Sequence, residues 1–149
     1  MTLNIAWKKL TETAKKPSKP KCDDDAGYDL FADEDVKIKP HQTALIKTGY
    51  GVQMTPPKGW NAYANIEDTS GNAWKLKLKS AAGIIDIQYT GNIGVVIRNN
   101  NLFKSIKIKK GAKIAQLVFH LIPITKEVEW EEKETERGDA GYGSTGTAQ

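Results

Sequence analysis

Short apolar-rich runs, each ended by a turn signal before a long helix can build, constrain this chain most. Thr43-Ala44-Leu45-Ile46-Lys47-Thr48 is β-prone and stops at Gly49. Lys75-Leu76-Lys77-Leu78-Lys79 alternates strictly, Asn92 to Arg98 and Ser105 to Lys109 are similar, and Ile114 to Ile124 is a longer apolar run. Pro56-Pro57-Lys58-Gly59, Tyr89-Thr90-Gly91-Asn92, Asn99-Asn100-Asn101 and Lys110-Gly111 separate these runs. Period-two runs between Gly, Pro and Asn clusters predict an all-β sandwich or barrel. Only one short helix is expected, starting where Thr69-Ser70 supplies cap residues. Residues 1–124 read as one β-rich body, and 125–149 as a charged linker carrying a C-terminal arm.

A chain of 149 residues is long enough to bury a core as a single domain. One cysteine, Cys22, excludes an intrachain disulfide and leaves a Cys/His metal cluster unsupported. The net charge of +4 is unevenly spread. Lysines crowd the first residues and the stretch Lys104 to Lys113, while acids crowd Glu127 to Glu136. Such basic surface can attract nucleic acid or a triphosphate, and it can equally be a solvated face. No apolar run reaches membrane length and no apolar signal core opens the chain, so a soluble protein without a membrane partner is expected.

The end of the chain reads Arg137-Gly138-Asp139-Ala140-Gly141-Tyr142-Gly143-Ser144-Thr145-Gly146. Glycines let backbone amides approach phosphate, the arginine can grip it bidentately, the hydroxyls can donate, and the tyrosine offers a ring to a base. No lysine precedes Ser144 as the P-loop requires. The pattern suggests a flexible Gly-rich arm that closes on a nucleotide, against the plainer reading of an inert tail.

Two further segments carry chemistry. Ala26-Gly27-Tyr28-Asp29-Leu30 places a carboxylate among apolar neighbours, where it needs a hydrogen-bonded, metal-orienting or water-orienting role. Ala82-Gly83-Ile84-Ile85-Asp86-Ile87-Gln88-Tyr89-Thr90-Gly91 looks like a β-hairpin lifting Asp86 out of an apolar strand. Asp86 there is a turn residue or a general base, and Tyr89 a flat platform.

With Ser70-Gly71-Asn72-Ala73-Trp74-Lys75, Gly111-Ala112-Lys113-Ile114-Ala115-Gln116-Leu117 and the arm, these segments resemble, in order, the five motifs of the homotrimeric dUTP diphosphatases, or dUTPases. The resemblance spans roughly residues 22 to 147. It implies a jelly-roll-like distorted barrel assembling as a homotrimer whose sites combine several subunits, and it implies Mg²⁺-dependent hydrolysis of dUTP to dUMP and diphosphate. Asp86 falls at the catalytic aspartate that activates the water attacking the α-phosphorus. Main-chain groups around Gly83, Ile85 and Asp86 would read uracil, and Tyr89 would exclude a 2′-hydroxyl. Ser70, Gly71 and Gln116 would meet phosphate. Asp29 would orient Mg²⁺ indirectly, through water. Tyr142 and Gly143 would cover the base, with Arg137, Ser144 and Thr145 near the γ-phosphate. No nucleic acid is required, and the implied compartment is cytoplasmic, or nuclear for a eukaryotic or viral source.

Departures from the pattern are specific. Glu67-Asp68-Thr69 precedes Ser70 where Pro-Arg is usual, so a phosphate-gripping arginine is missing, and either Asp68 or Ser70 fills the serine position. Gln88 and Ala112 replace usual acids, and Lys113 a usual arginine. These changes keep open a dUTPase-like nucleotide-binding or regulatory protein with weak or no turnover. A relative of the dCTP deaminases, which share the fold, is a third reading, disfavoured by the glycine arm.

Overall fold

The computed structural model describes residues 1–132, which form eleven strands and one short helix. In chain order these are β1 (Asn4–Lys9), β2 (Gly27–Phe31), β3 (Val36–Ile38), β4 (Thr43–Lys47), β5 (Tyr50–Thr55), β6 (Trp60–Glu67), α1 (Ser70–Leu76), β7 (Leu78–Ser80), β8 (Ile84–Asp86), β9 (Gly94–Asn99), β10 (Ile106–Ile108) and β11 (Lys113–Pro123). The result is the all-β fold expected from the strand spacing, of the jelly-roll-like kind that the resemblance implies. No helix among the described residues is long and apolar enough to cross a membrane.

Every ladder is antiparallel. The largest sheet runs β2-β11-β6-β8, a second runs β4-β9-β7, and β1-β5 and β3-β10 form two ribbons. Alternation decides which side chains go inward. In β6, Ala62, Ala64 and Ile66 are buried between exposed or half-buried neighbours, and in β9 Val95, Ile97 and Asn99 are buried. Leu30, Ile46, Val52, Ile93 and Leu117 complete a core drawn from all the sheets. Each fully buried aliphatic side chain contributes roughly 1.5–3 kcal/mol by leaving water.

One core member is polar. Asn99 is fully buried, and its amide donates to the carbonyls of Ile38 and Lys104 at 3.0 and 2.8 Å. Its Oδ1 accepts from the backbone N–H and the amide of Asn101 at 3.0 and 2.7 Å. The amide thus anchors the 100–105 loop to the end of β3, with no polar atom left unpaired.

Two local expectations need correction. The Lys75–Lys79 alternation is not one strand. Thr69 caps α1 by accepting from the Asn72 N–H at 3.4 Å, and the helix runs through Leu76 before Lys77 takes a left-handed cap conformation. Only then does β7 begin, with Leu78 buried. Straight-chain Lys and Leu pay little to enter a helix, so a capped start outweighs a short alternating run. Nor is the 82–92 segment a hairpin. β8 pairs with β6, and the chain after it leaves through a turn to β9, which pairs with β4 and β7.

Candidate functional site

Asp86 stands at the end of β8 on a ridge between two clefts. The larger, of about 430 Å³, is lined by Leu45, Lys47, Ile84, Ile85, Asp86, Tyr89, Asn92 and Gly94. The smaller, about 320 Å³, lies on the other side of β8 against Tyr63 and Ile122. The ridge is set by β6. Ile84 pairs with Asn65, Ile85 with Ala64 and Asp86 with Tyr63. Just before β8, the Gly83 carbonyl accepts from the Ile66 N–H at 2.8 Å. A Cβ on Gly83 would meet the Asn65 Oδ1 at 2.7 Å and the Ile66 carbonyl at 2.8 Å, so only glycine lets the backbone come this close.

The turn after Asp86 is closed by the Tyr89 N–H donating to the Asp86 carbonyl at 2.9 Å. The Tyr89 hydroxyl donates to the Asn92 carbonyl at 2.8 Å, and its ring lies where a Cβ on Gly91 would fall at 2.9 Å. The Asn92 side chain in turn accepts from the Gly49 N–H at 3.0 Å. The ring is therefore a fixed wall of the cleft. Asn92 closes the third motif-like segment, whereas no sequence motif marks Leu45 and Lys47 as site residues. Leu45 carried a signal nonetheless, as an apolar residue on the outward side of a strand whose next residue, Ile46, is fully buried.

The other expected site residues gather elsewhere. Asp29 in β2 is buried, with its carboxylate 3.3 Å from the Lys113 ammonium. Gln116 lies opposite both Asp29 and Glu67 in the ladder, and its amide donates to the Asp68 carbonyl at 3.2 Å. Ser70 and Gly71 open α1 and are exposed. Asn72 ties that helix to β11, donating to the carbonyls of Lys113 and Ile114, both at 3.1 Å. Asp68 is not a bare charge here. Its carboxylate accepts from Lys79 Nζ at 2.6 Å and from the Ser80 N–H at 2.7 Å. Burial works against its ionisation, but these two donors outweigh burial and hold its pKa below the usual carboxylate value. Lys79 is the cation that offsets it.

Within one protomer the two groups do not meet. Asp86 shares a cross-strand row with Tyr63 and His120, whereas Asp29, Gln116 and Glu67 share another. The rows lie four residues apart along β6, roughly 13 Å, and β8 is three strand steps of about 4.8 Å from β2, which puts Asp29 roughly 19 Å and Gln116 roughly 16 Å from Asp86, Cα to Cα. Arg137, Tyr142, Gly143, Ser144 and Thr145 lie outside the described residues.

The dUTPase family model matches residues 14–146. The chain belongs to the dUTPase family. Membership makes it a hydrolase of nucleotide metabolism. The deoxyuridine 5'-triphosphate nucleotidohydrolase of Mus musculus is 39% identical over 145 residues, covering 96% of this chain and 85% of that protein. That of Clostridium tetani is 41% identical over 151 residues, covering 97% of each. Among solved structures, a Staphylococcus bacteriophage 80alpha dUTPase mutant with dUpNHpp superposes with a TM-score of 0.81 at 32% identity, covering 97% of this chain and 99% of that one. A mutant dUTPase from phage phi11 of S. aureus, described with a structural Mg(II) ion, gives a TM-score of 0.72 at 28% identity, with 89% and 99% covered. In this chain Glu67, Asp68 and Thr69 precede Ser70.

Proposed function

We propose that this chain hydrolyses dUTP to dUMP and diphosphate, with Asp86 as the base. The observation that carries the reading is the cleft that Asp86 shares with a pinned Tyr89, on a strand that Gly83 lets lie close against β6. Main-chain groups from Gly83 to Asp86 present donors and acceptors to a pyrimidine edge, and the Tyr89 ring covers the sugar, leaving no room for a ribose 2′-hydroxyl. Asp86 accepts a proton from a water as its oxygen bonds to the α-phosphorus. The bond from that phosphorus to the oxygen bridging toward the β-phosphorus breaks, and diphosphate leaves with those electrons. In-line transfer of this kind depends mostly on positioning and charge neutralisation.

Among the described residues no three His, Cys, Asp or Glu side chains converge on a metal-sized site. Asp29, already facing Lys113, suits an ion carried by the triphosphate and reached through water. Mg²⁺ bound in that way would neutralise charge on the departing diphosphate.

The separation of Asp86 from Asp29 and Gln116 supports a site completed by a second copy, and so a homotrimer in which one protomer supplies the nucleoside cleft and another supplies Ser70, Gly71 and Gln116. The arm residues Arg137, Tyr142, Gly143, Ser144 and Thr145 would close over the bound nucleotide. Residues 125–149 then act as linker and lid for the 1–124 body.

Diphosphate release measured with dUTP, dCTP, dTTP and UTP tests the activity; release from dUTP alone is expected, and equal release from UTP would refute the role of Tyr89. Mixing inactive Asp86→Asn and Gln116→Ala proteins after dissociation and reassembly tests sharing. Regained turnover supports shared sites, and none would place each site within one protomer.

The Asp68-Thr69 pair before Ser70 favours one second reading, a nucleotide-binding regulator with weak turnover, because Lys79 neutralises Asp68 without supplying a cation to phosphate. Tight dUTP binding without diphosphate release would decide for it.

A further inference from the structure

The ribbon β3-β10 places two lysines directly across from one another. Lys37 pairs with Lys107 in the ladder, and both are exposed, while Ile38, Ile106 and Ile108 face the core. Like charges directly opposed on one face destabilise a strand pair. Neither lysine has a carboxylate partner among the described residues. The nearby acids Asp35 and Asp33 are already taken, by Lys109 and Lys110, each at 3.3 Å. Glu34 sits in the turn between them, before β3 begins.

The positive strip continues past the pair. Lys39, two residues beyond Lys37, is exposed. The Asn99 amide holds the Lys104 carbonyl beside that of Ile38, which brings Lys104 to the same end of the ribbon. Adjoining it is Phe103, whose side chain is 93% exposed with no ring or cation stacked on it among the described residues. A shallow cleft of about 260 Å³ at the other end of the ribbon is lined by Lys37, Lys107 and Lys109 together with Asp35, Val36 and Ile108.

We infer that this face binds single-stranded nucleic acid, apart from the nucleotide cleft. Lysines on flexible stems suit a run of phosphates, and an exposed flat ring beside them offers stacking to a base, the combination by which single strands are held without reading sequence. An acidic peptide would satisfy the lysines but has no use for a bare ring. A ligand that bridges Lys37 and Lys107 also relieves the repulsion that the folded ribbon otherwise carries.

The test is fluorescence anisotropy of a labelled dA20 oligonucleotide with the full-length protein at 50 and 200 mM salt. Binding is expected to weaken with salt at a log–log slope of about −2 to −3, since Lys37, Lys39, Lys104 and Lys107 each add roughly −0.7. Lys37→Glu should weaken binding at least tenfold while leaving the melting temperature equal or higher, because it turns a repulsive cross-strand pair into an attractive one. Phe103→Ala should weaken binding at least fivefold. Both variants should keep full dUTP turnover, and binding is read without turnover, so the inference stands or falls apart from the hydrolase reading. No binding at 50 mM salt would overturn it, as would an unaltered affinity in Lys37→Glu. Displacement by poly-glutamate as efficient as by unlabelled dA20, with Phe103→Ala silent, would overturn it in favour of an acidic protein partner.

Discussion

Gly83→Ala tests how far the cleft depends on one backbone approach. The added Cβ would sit 2.7 Å from the Asn65 Oδ1 and 2.8 Å from the Ile66 carbonyl. The Asn65 side chain can turn away, but the carbonyl belongs to β6 and cannot. Restoring ordinary contact moves the 82–84 backbone about 0.6 Å and stretches the bond from the Ile66 N–H to the Gly83 carbonyl. Overpacking costs roughly 1–3 kcal/mol and a weakened hydrogen bond roughly 0.5–1.5 kcal/mol. A combined loss of about 2–3 kcal/mol lowers the melting temperature by roughly 5–10 °C in a chain of this size. Activity should suffer as well, because Ile84 to Asp86 ride on the displaced segment. A 1 Å error in placement can cost about 100-fold, so about tenfold in kcat/KM is expected here. Calorimetric melting and steady-state diphosphate release measure the two effects. Gly71→Ala is the stability control, since nothing lies within 4 Å of its Cβ position. A Gly83→Ala protein with parental melting and parental kcat/KM would refute the argument.

Three other outcomes follow from the site. Asp86→Asn should lower kcat by at least about 100-fold and leave dUTP affinity, read by calorimetry without turnover, within a few-fold of the parent. Asp68, whose pKa is depressed in the folded state, stabilises the fold above the unfolded carboxylate value near 3.8 and loses that contribution as pH falls through its lower folded value. Urea midpoints between pH 5 and pH 2.5 should therefore drop more steeply in the parent than in Asp68→Asn, and parallel curves would count against the Lys79–Ser80 clasp. A chain ended at Glu132 should melt as the parent does and lose most dUTP turnover; unchanged turnover would show the arm to be an inert tail.

Much of the body was legible because strand alternation and turn chemistry are local. Thr43 to Lys47, the runs ending at Asn99 and Ile108, and the long run into Pro123 stand within a few residues of where the sequence places them. The strands β1, β5 and β6 were harder to see, since Asn61, Tyr63 and Asn65 alternate with alanines too small to mark an apolar face. The partner of β8 was not legible at all, because pairing with β6 rather than β9 is decided by the close approach at Gly83 and not by the turn that follows. Asp86 and Tyr89 could be marked by motif, but the wall they share with Leu45 and Lys47 comes from a strand some forty residues earlier in the chain. The separation of the two groups of site residues emerges only from ladder register, which no local pattern encodes.

Among the described strands the last to be synthesised, β11, lies inside the largest sheet, between β2 and β6. β2 has no neighbour there until β11 arrives, and β6 gains its longest ladder from the same strand. A nascent chain can therefore form the β1-β5 ribbon early, but the apolar faces of β2 and β6 wait for residues 113–123 to leave the ribosome. Long-range pairing of this kind folds slowly and exposes strand edges meanwhile. Fragments ending before β11 should consequently be captured by chaperones or degraded rather than accumulate as partial domains.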